Sequence, residues 1–313
     1  MQKIYRLTPA TKDNIWGGNK LRAYGKESEK DRIAESWELS FTNGGEARIA
    51  DGREMSEAFP RETWGTSAEK FHAFPVLTKF IDAQDKLSVQ VHPSDTYALE
   101  NEGQFGKTEM WYVVEADEGA GLYMGLEREC DPDEFAAAVA DGSVEKLLSF
   151  KEVKRGDVYF IPSGTIHAIG AGVVIFEIQQ NSTLTYRLYD YMRRDKDGNL
   201  RELHVDKAAD VTKRCPPVIA DSSDRKTEKF ENATRAELTT CDLFTMYKLD
   251  VDGKYSAVAD DESFVSLLCL EGEGKVTCGE TTLSFVKGES VFIPASSGEY
   301  TIEGKLEILE STL

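Results

Sequence analysis

Gly156-Asp157-Val158-Tyr159-Phe160-Ile161-Pro162 recurs 132 residues later as Gly288-Glu289-Ser290-Val291-Phe292-Ile293-Pro294, with the glycine and the Phe-Ile-Pro run in register. A glycine that opens a turn, a short run of strand character and a proline that ends it make one β unit, and meeting that unit twice predicts two β units built alike. Upstream, Tyr112-Val113-Val114-Glu115 is loosely echoed by Leu267-Leu268-Cys269-Leu270 once the segment from Asp131 to Leu148 is set aside. All four histidines (His72, His92, His167 and His204) precede Leu238. Chemistry that needs imidazole therefore belongs to the first copy. The polar stretch Ser222 to Ala233 is where a boundary is expected, giving a catalytic domain over residues 1–235 and a C-terminal β domain over 236–313 that lacks metal ligands and serves packing.

Period-two alternation marks the strands. In Leu87-Ser88-Val89-Gln90-Val91-His92-Pro93, a strand places Ser88, Gln90 and His92 on one face and Leu87, Val89 and Val91 on the other. A hydroxyl, an amide and an imidazole in one row are either a solvated edge or a set aimed at water, a ligand or a metal ion. Ser36 to Phe41, Val76 to Asp82 and Thr108 to Val114 read as further strands, the last with Glu109 at its head. Helix signals interrupt them. Asp131-Pro132-Asp133-Glu134 is an acidic cap followed by proline in the first turn, a second short helix is expected from Ser143 to Leu148, and Arg201 to Thr212 reads as a helix with Leu203, Val205, Ala208 and Val211 on one side. Leu238 to Leu313 reads as short strands punctuated by glycines.

Charge narrows the partners. With 56 acidic against 37 basic residues the net charge is −19, which repels polyanions, so neither nucleic acid nor an anionic membrane is expected as a partner. An anionic small molecule would need local cations set against that background. No run approaches the roughly 18 apolar residues of a membrane span, the start lacks a signal-peptide core, and five cysteines occur without a Cys-x-x-Cys pair. A cytoplasmic protein with reduced thiols is expected.

Gln90, His92, Glu109 and His167 stand out within this strand-rich frame. Two imidazoles, a carboxylate and an amide oxygen form a nitrogen and oxygen set that suits zinc, with manganese, iron or cobalt open to it, and the lack of thiolate favours a catalytic over a structural site. Each histidine alone reads equally as a satisfied or exposed loop residue. Glu177, in the apolar run Val173 to Ile178, is a candidate base or the member of a buried ion pair. Arg187 offers a fixed cationic fork, or a surface salt bridge among Asp190 and Asp195. Trp16 and Trp37 read as core or as stacking walls of a ligand site, and His72 and His204 as residues without a role in chemistry.

Gly156-x5-Pro162-x-Gly164-x2-His167 fits the second cupin motif in full, and here the chain resembles the cupin superfamily. Where that family's first motif has His-x-His, this chain has Gln90-Val91-His92, with Glu109 following 17 residues after His92. Leu-Ser-x-Gln-x-His-Pro, then Lys107 and Glu109, then His167 and an apolar strand leading to Arg187, resemble the type I mannose-6-phosphate isomerases in their shorter bacterial form. The resemblance runs from Trp16-Gly17-Gly18 through Tyr186 to Tyr191. It implies a mainly β fold, a cupin-type jelly-roll barrel with helical insertions followed by a smaller cupin-like β domain. It further implies one zinc per chain, held by Gln90, His92, Glu109 and His167, with Ser88, Lys107 and Arg187 on the substrate side and Lys107, Arg187 and Glu177 as catalytic residues. The implied reaction interconverts mannose 6-phosphate and fructose 6-phosphate, a small-molecule sugar phosphate being the partner. Two histidines and a glutamate also form the facial triad of non-haem iron, so a cupin dioxygenase and a non-catalytic sugar-binding cupin are the rival readings.

Overall fold

The computed structural model describes residues 3–195, 197–217 and 225–313. The chain divides into two compact units, one of Asp13–Asn19 and Ile81–Ala220, the other of Met1–Lys12, Lys20–Phe80 and Asp221–Leu313. Residues 235 and 236 both lie in the second of these units. The N-terminal residues join the C-terminal β unit because the strand Tyr5–Leu7 pairs antiparallel with Ser290–Ile293, Tyr5 opposite Phe292. Residues 222–224 of the expected boundary lie outside the described residues.

In the unit that carries the histidine motifs, one sheet runs Tyr186–Tyr189, Val89–Val91, His167–Ile169, Gly121–Leu126, Leu148–Glu152, and in another Glu109–Ala116 lies between Val173–Gln180 and Val158–Ile161. Val89, Val91, Ile166, Ala168 and Leu188 form its core with Phe135 and Val139. Those last two come from the helix Pro132–Ala140, which starts where the sequence predicts: the Asp131 side chain accepts from the Asp133 N–H. Ser94 likewise caps the helix Asp95–Glu102. Leu148 does not end a helix as expected. A 3-10 turn, Val144–Leu147, gives way to the strand Leu148–Glu152. The helix expected from Arg201 spans only Val205–Val211, because the residues before it are engaged elsewhere: Arg201 binds Asp190 and the Glu202 carbonyl accepts from Arg187. Leu203 is accordingly 42% exposed rather than on an apolar face.

The other unit is built on the strand order Tyr5–Leu7, Ser290–Ile293, Val265–Cys278, Gly298–Thr312, Thr245–Ala259, Ala233–Thr240, Thr227–Lys229. The glycines expected to separate short strands instead lie inside long ones. Gly253 and Gly304 face each other across paired strands at φ 127° and 142°, conformations open to glycine that let a strand bend without ending. The sequence repeat is structural: Val158–Ile161 pairs with Glu109–Ala116, Glu109 opposite Ile161, and Ser290–Ile293 pairs with Val265–Cys278, Val265 opposite Ile293. Among the described residues, no helix is long and apolar enough to cross a membrane.

Candidate active site

The polar row of the Leu87 to Pro93 stretch faces inward. Ser88 and His92 are buried on one side of the strand while Leu87, Val89 and Val91 are buried on the other, so the solvated-edge reading does not apply. Gln90 lies opposite both His167 and Arg187 in the ladder. His92 and His167 thus come from one sheet, Glu109 from another, and the three meet as the sheets' inner faces converge. One ligand atom from each of these buried residues lies within 4.8 Å of the others.

Both imidazoles are oriented for ligation. His92 Nδ1 lies 2.9 Å from the Leu184 carbonyl and His167 Nδ1 2.8 Å from that of Thr165, and a carbonyl accepts only from a protonated nitrogen. That fixes the tautomer and leaves each Nε2 a lone pair. These Nε2 atoms lie 3.6 Å and 3.3 Å from the two Glu109 oxygens. The motif glycine contributes to this placement: Gly164, at φ 84°, donates its N–H to the His92 carbonyl at 2.8 Å. Burial, then the Lys107 charge, push the His167 imidazole down to about 4, so the ring is neutral at pH 7, as a ligand must be. Gln90 Nε2 lies 3.4 Å from His167 Nε2, and Gln90 Oε1 accepts from Ser88 Oγ at 3.3 Å.

Lys107 is buried and central. Its ammonium contacts Glu109, lies 3.2 Å from His92 Nε2 and donates to Glu177 Oε1 at 3.1 Å. Glu177 is therefore in a buried ion pair. Its other oxygen accepts from Trp111 Nε1 at 3.0 Å. Ladder register explains this meeting, since Glu177 lies opposite Trp111 and Gln179 opposite Glu109. Arg187 Nε reaches Ser88 Oγ at 3.3 Å and its Nη1 donates to the Glu202 carbonyl at 2.8 Å. Burial and the neighbouring Arg201 lower the Arg187 guanidinium from its ordinary value. Asp190, expected as a rival partner for Arg187, binds Arg193 and Arg201 instead.

The eight candidate site residues lie in this one unit; contacts run from Arg187 to Ser88 to Gln90 to His167 and from His92 to Lys107 to Glu177, and Glu109 joins the two chains through His167, His92 and Lys107. Trp111 was missed. It reads as core, and its signal is its place two residues after Glu109, on the same strand face. His204 was also undervalued, since its backbone N–H donates to the Arg187 carbonyl at 2.7 Å and its Nδ1 accepts from the Arg187 N–H at 3.2 Å. Trp16 is buried and Trp37 half-buried, with its Nε1 bonded to Glu35 at 2.7 Å.

The donor set fits a divalent metal. It offers two lone pairs, a carboxylate and an amide, and the positive charge it already gathers is the Lys107 ammonium. Family models match at residues 4–117, described as phosphomannose isomerase type I, catalytic domain, and at residues 234–313, described as mannose-6-phosphate isomerase, cupin domain. The chain is 36% identical over 312 residues to mannose-6-phosphate isomerase ManA of Bacillus subtilis, covering 97% of each. It is 37% identical to a mannose-6-phosphate isomerase of Streptococcus mutans over 95% of this chain and 94% of that one. Among solved structures it is similar to the Bacillus subtilis mannose 6-phosphate isomerase, with a TM-score of 0.92 and 34% identity over 100% of both chains.

Proposed function

The chain belongs to the type I mannose-6-phosphate isomerases, cupin enzymes, and from that premise we propose that it is a zinc enzyme interconverting mannose 6-phosphate and fructose 6-phosphate through an enediol. Gln90, His92, Glu109 and His167 would hold the zinc, and the observation that carries the reading is the convergence of two Nε2 lone pairs on buried Glu109. When bound, zinc supplies a Lewis acid that stabilises negative charge growing on neighbouring oxygens.

The protein's own residues do the rest. Glu177 accepts the proton from C2 of the aldose and returns it at C1, while the C2 hydroxyl proton passes to the C1 oxygen, and the reverse for the ketose. Lys107 pairs with that carboxylate at 3.1 Å, and the Trp111 N–H fixes its orientation. Arg187 and Lys107 provide the cations that an anionic substrate needs against a net charge of −19. The Arg187 fork, steadied by Ser88 and the Glu202 carbonyl, binds phosphate or enediolate oxygens. Five free thiols accord with a cytoplasmic location.

The test is metal analysis of the purified chain beside a coupled assay for fructose 6-phosphate formed from mannose 6-phosphate. One zinc per chain is expected, with turnover lost on chelation and restored by zinc. Glu109→Ala is expected to lose both metal and activity. Full turnover by the chelated protein, or by the metal-free variant, rules the zinc mechanism out.

A further inference from the structure

The unit without histidine motifs contains a half-open polar site of its own. In the strand Gly298–Thr312 the even-numbered residues Tyr300, Ile302, Leu306 and Ile308 point into the core. Glu310 continues that row and is 2% exposed. A carboxylate at such a position needs compensation. Arg235 supplies part of it, donating from Nη2 to Glu310 Oε1 while its guanidinium lies 3.4 Å from the centre of the Tyr247 ring. Two buried atoms of the pair have no hydrogen-bond partner among the described residues: Glu310 Oε2, an acceptor, and Arg235 Nε, a donor. Both residues, with Tyr255 and Tyr300, line a cavity of about 310 Å³, at the small end of the roughly 300–1,000 Å³ usual for small-molecule sites.

The charges restrict what can enter. Exposed Asp260 and Glu262 also line the cavity and repel anions, while the Arg235–Glu310 pair within balances its own charge. We propose that this cavity is a second ligand site, for a neutral polyhydroxylated molecule of monosaccharide size. One hydroxyl donates to Glu310 Oε2, another oxygen accepts from Arg235 Nε–H, and the carbon face of the ligand packs against the tyrosine rings. Burial raises the Glu310 carboxyl above its ordinary range, with Arg235 opposing, so a donor to Oε2 offsets part of the cost of burying it.

The full-length chain is titrated with D-mannitol and with D-mannose, followed by calorimetry and by saturation-transfer NMR. Binding by the wild type is expected, weakened roughly tenfold or more in Tyr247→Ala and Glu310→Gln and unchanged in Lys107→Met, which alters the other unit. Glu310→Gln strands Arg235 and can unfold this unit; the half-buried Tyr247 then carries the comparison. The proposal is overturned if neither probe binds the wild type, if a folded Tyr247→Ala or Glu310→Gln protein binds as before, or if Lys107→Met removes binding.

Discussion

Trp111 is placed to orient the proposed base without being a candidate metal ligand. Its Nε1 donates to Glu177 Oε2 at 3.0 Å, and its ring meets His167 edge-on at 5.3 Å between centroids. Trp111→Phe keeps an aromatic edge against His167 and removes the N–H. A hydrogen bond to a charged group is worth about 1.5–3 kcal/mol, so kcat is expected to fall roughly ten- to hundredfold while zinc content stays at the wild-type level. Unchanged kcat would place Glu177 outside the proton transfer, and loss of zinc would make Trp111 a support for the ligands instead. The ligand candidates were legible in sequence because imidazole, carboxylate and amide are rare inward-facing groups that need a reason to be there. Trp111 was not legible, because an indole in an apolar strand already has one.

At the scale of the element, two strands carry polar rows into an interior. Ser88, Gln90 and His92 do so in the candidate site. In the other unit Ser36, Glu38 and Ser40 are buried, and Glu38 accepts from Lys26 at 2.8 Å, from Ser36 at 2.7 Å and from Ser290 at 2.6 Å. Alternation was plain in both segments, but period two gives two faces without saying which one is inside; compensating groups as distant as Ser290 decide that. The same gap explains the long C-terminal strands. A glycine reads locally as a strand's end, and only the partner strand shows that it bends and continues. A Cβ on Gly304 would lie 2.4 Å from the Glu273 carbonyl oxygen, at a φ of 142° that L-residues rarely adopt. Gly304→Ala is therefore expected to cost about 2 kcal/mol or more, read as a lower urea midpoint with isomerase activity per folded chain retained. A midpoint equal to wild type would mean that the paired strands yield at that bend.

For the molecule as a whole, acidity sets both ends of the stability range. Fifty-six carboxylates against 37 basic groups repel one another near neutrality, so mild acidification relieves repulsion and raises stability. The limb that falls at lower pH belongs to carboxyls held below their ordinary range in the fold. Asp190 is the most deeply placed of these, at 5% side-chain exposure. Burial pushes its pKa up, but hydrogen bonds from Arg201 and Arg193 outweigh that and hold it below the ordinary 3.8. A depressed carboxyl contributes stability that is complete above 3.8 and is lost as pH falls through the lower folded value. Asp190→Asn removes the carboxylate that two half-buried guanidinium groups share, leaving Arg193 only its longer ion pair with Asp85 at 3.4 Å, a loss of about 2 kcal/mol at pH 7. Thermal unfolding of wild type and variant, compared at each pH from 7 downwards, should show a constant gap to about pH 4.5 that closes below it, as the wild-type carboxyl itself becomes protonated. Because both proteins carry the same candidate metal ligands, the difference between them isolates Asp190. A gap that stays constant to the acid limit would mean that the two arginines do not lower this carboxyl in solution.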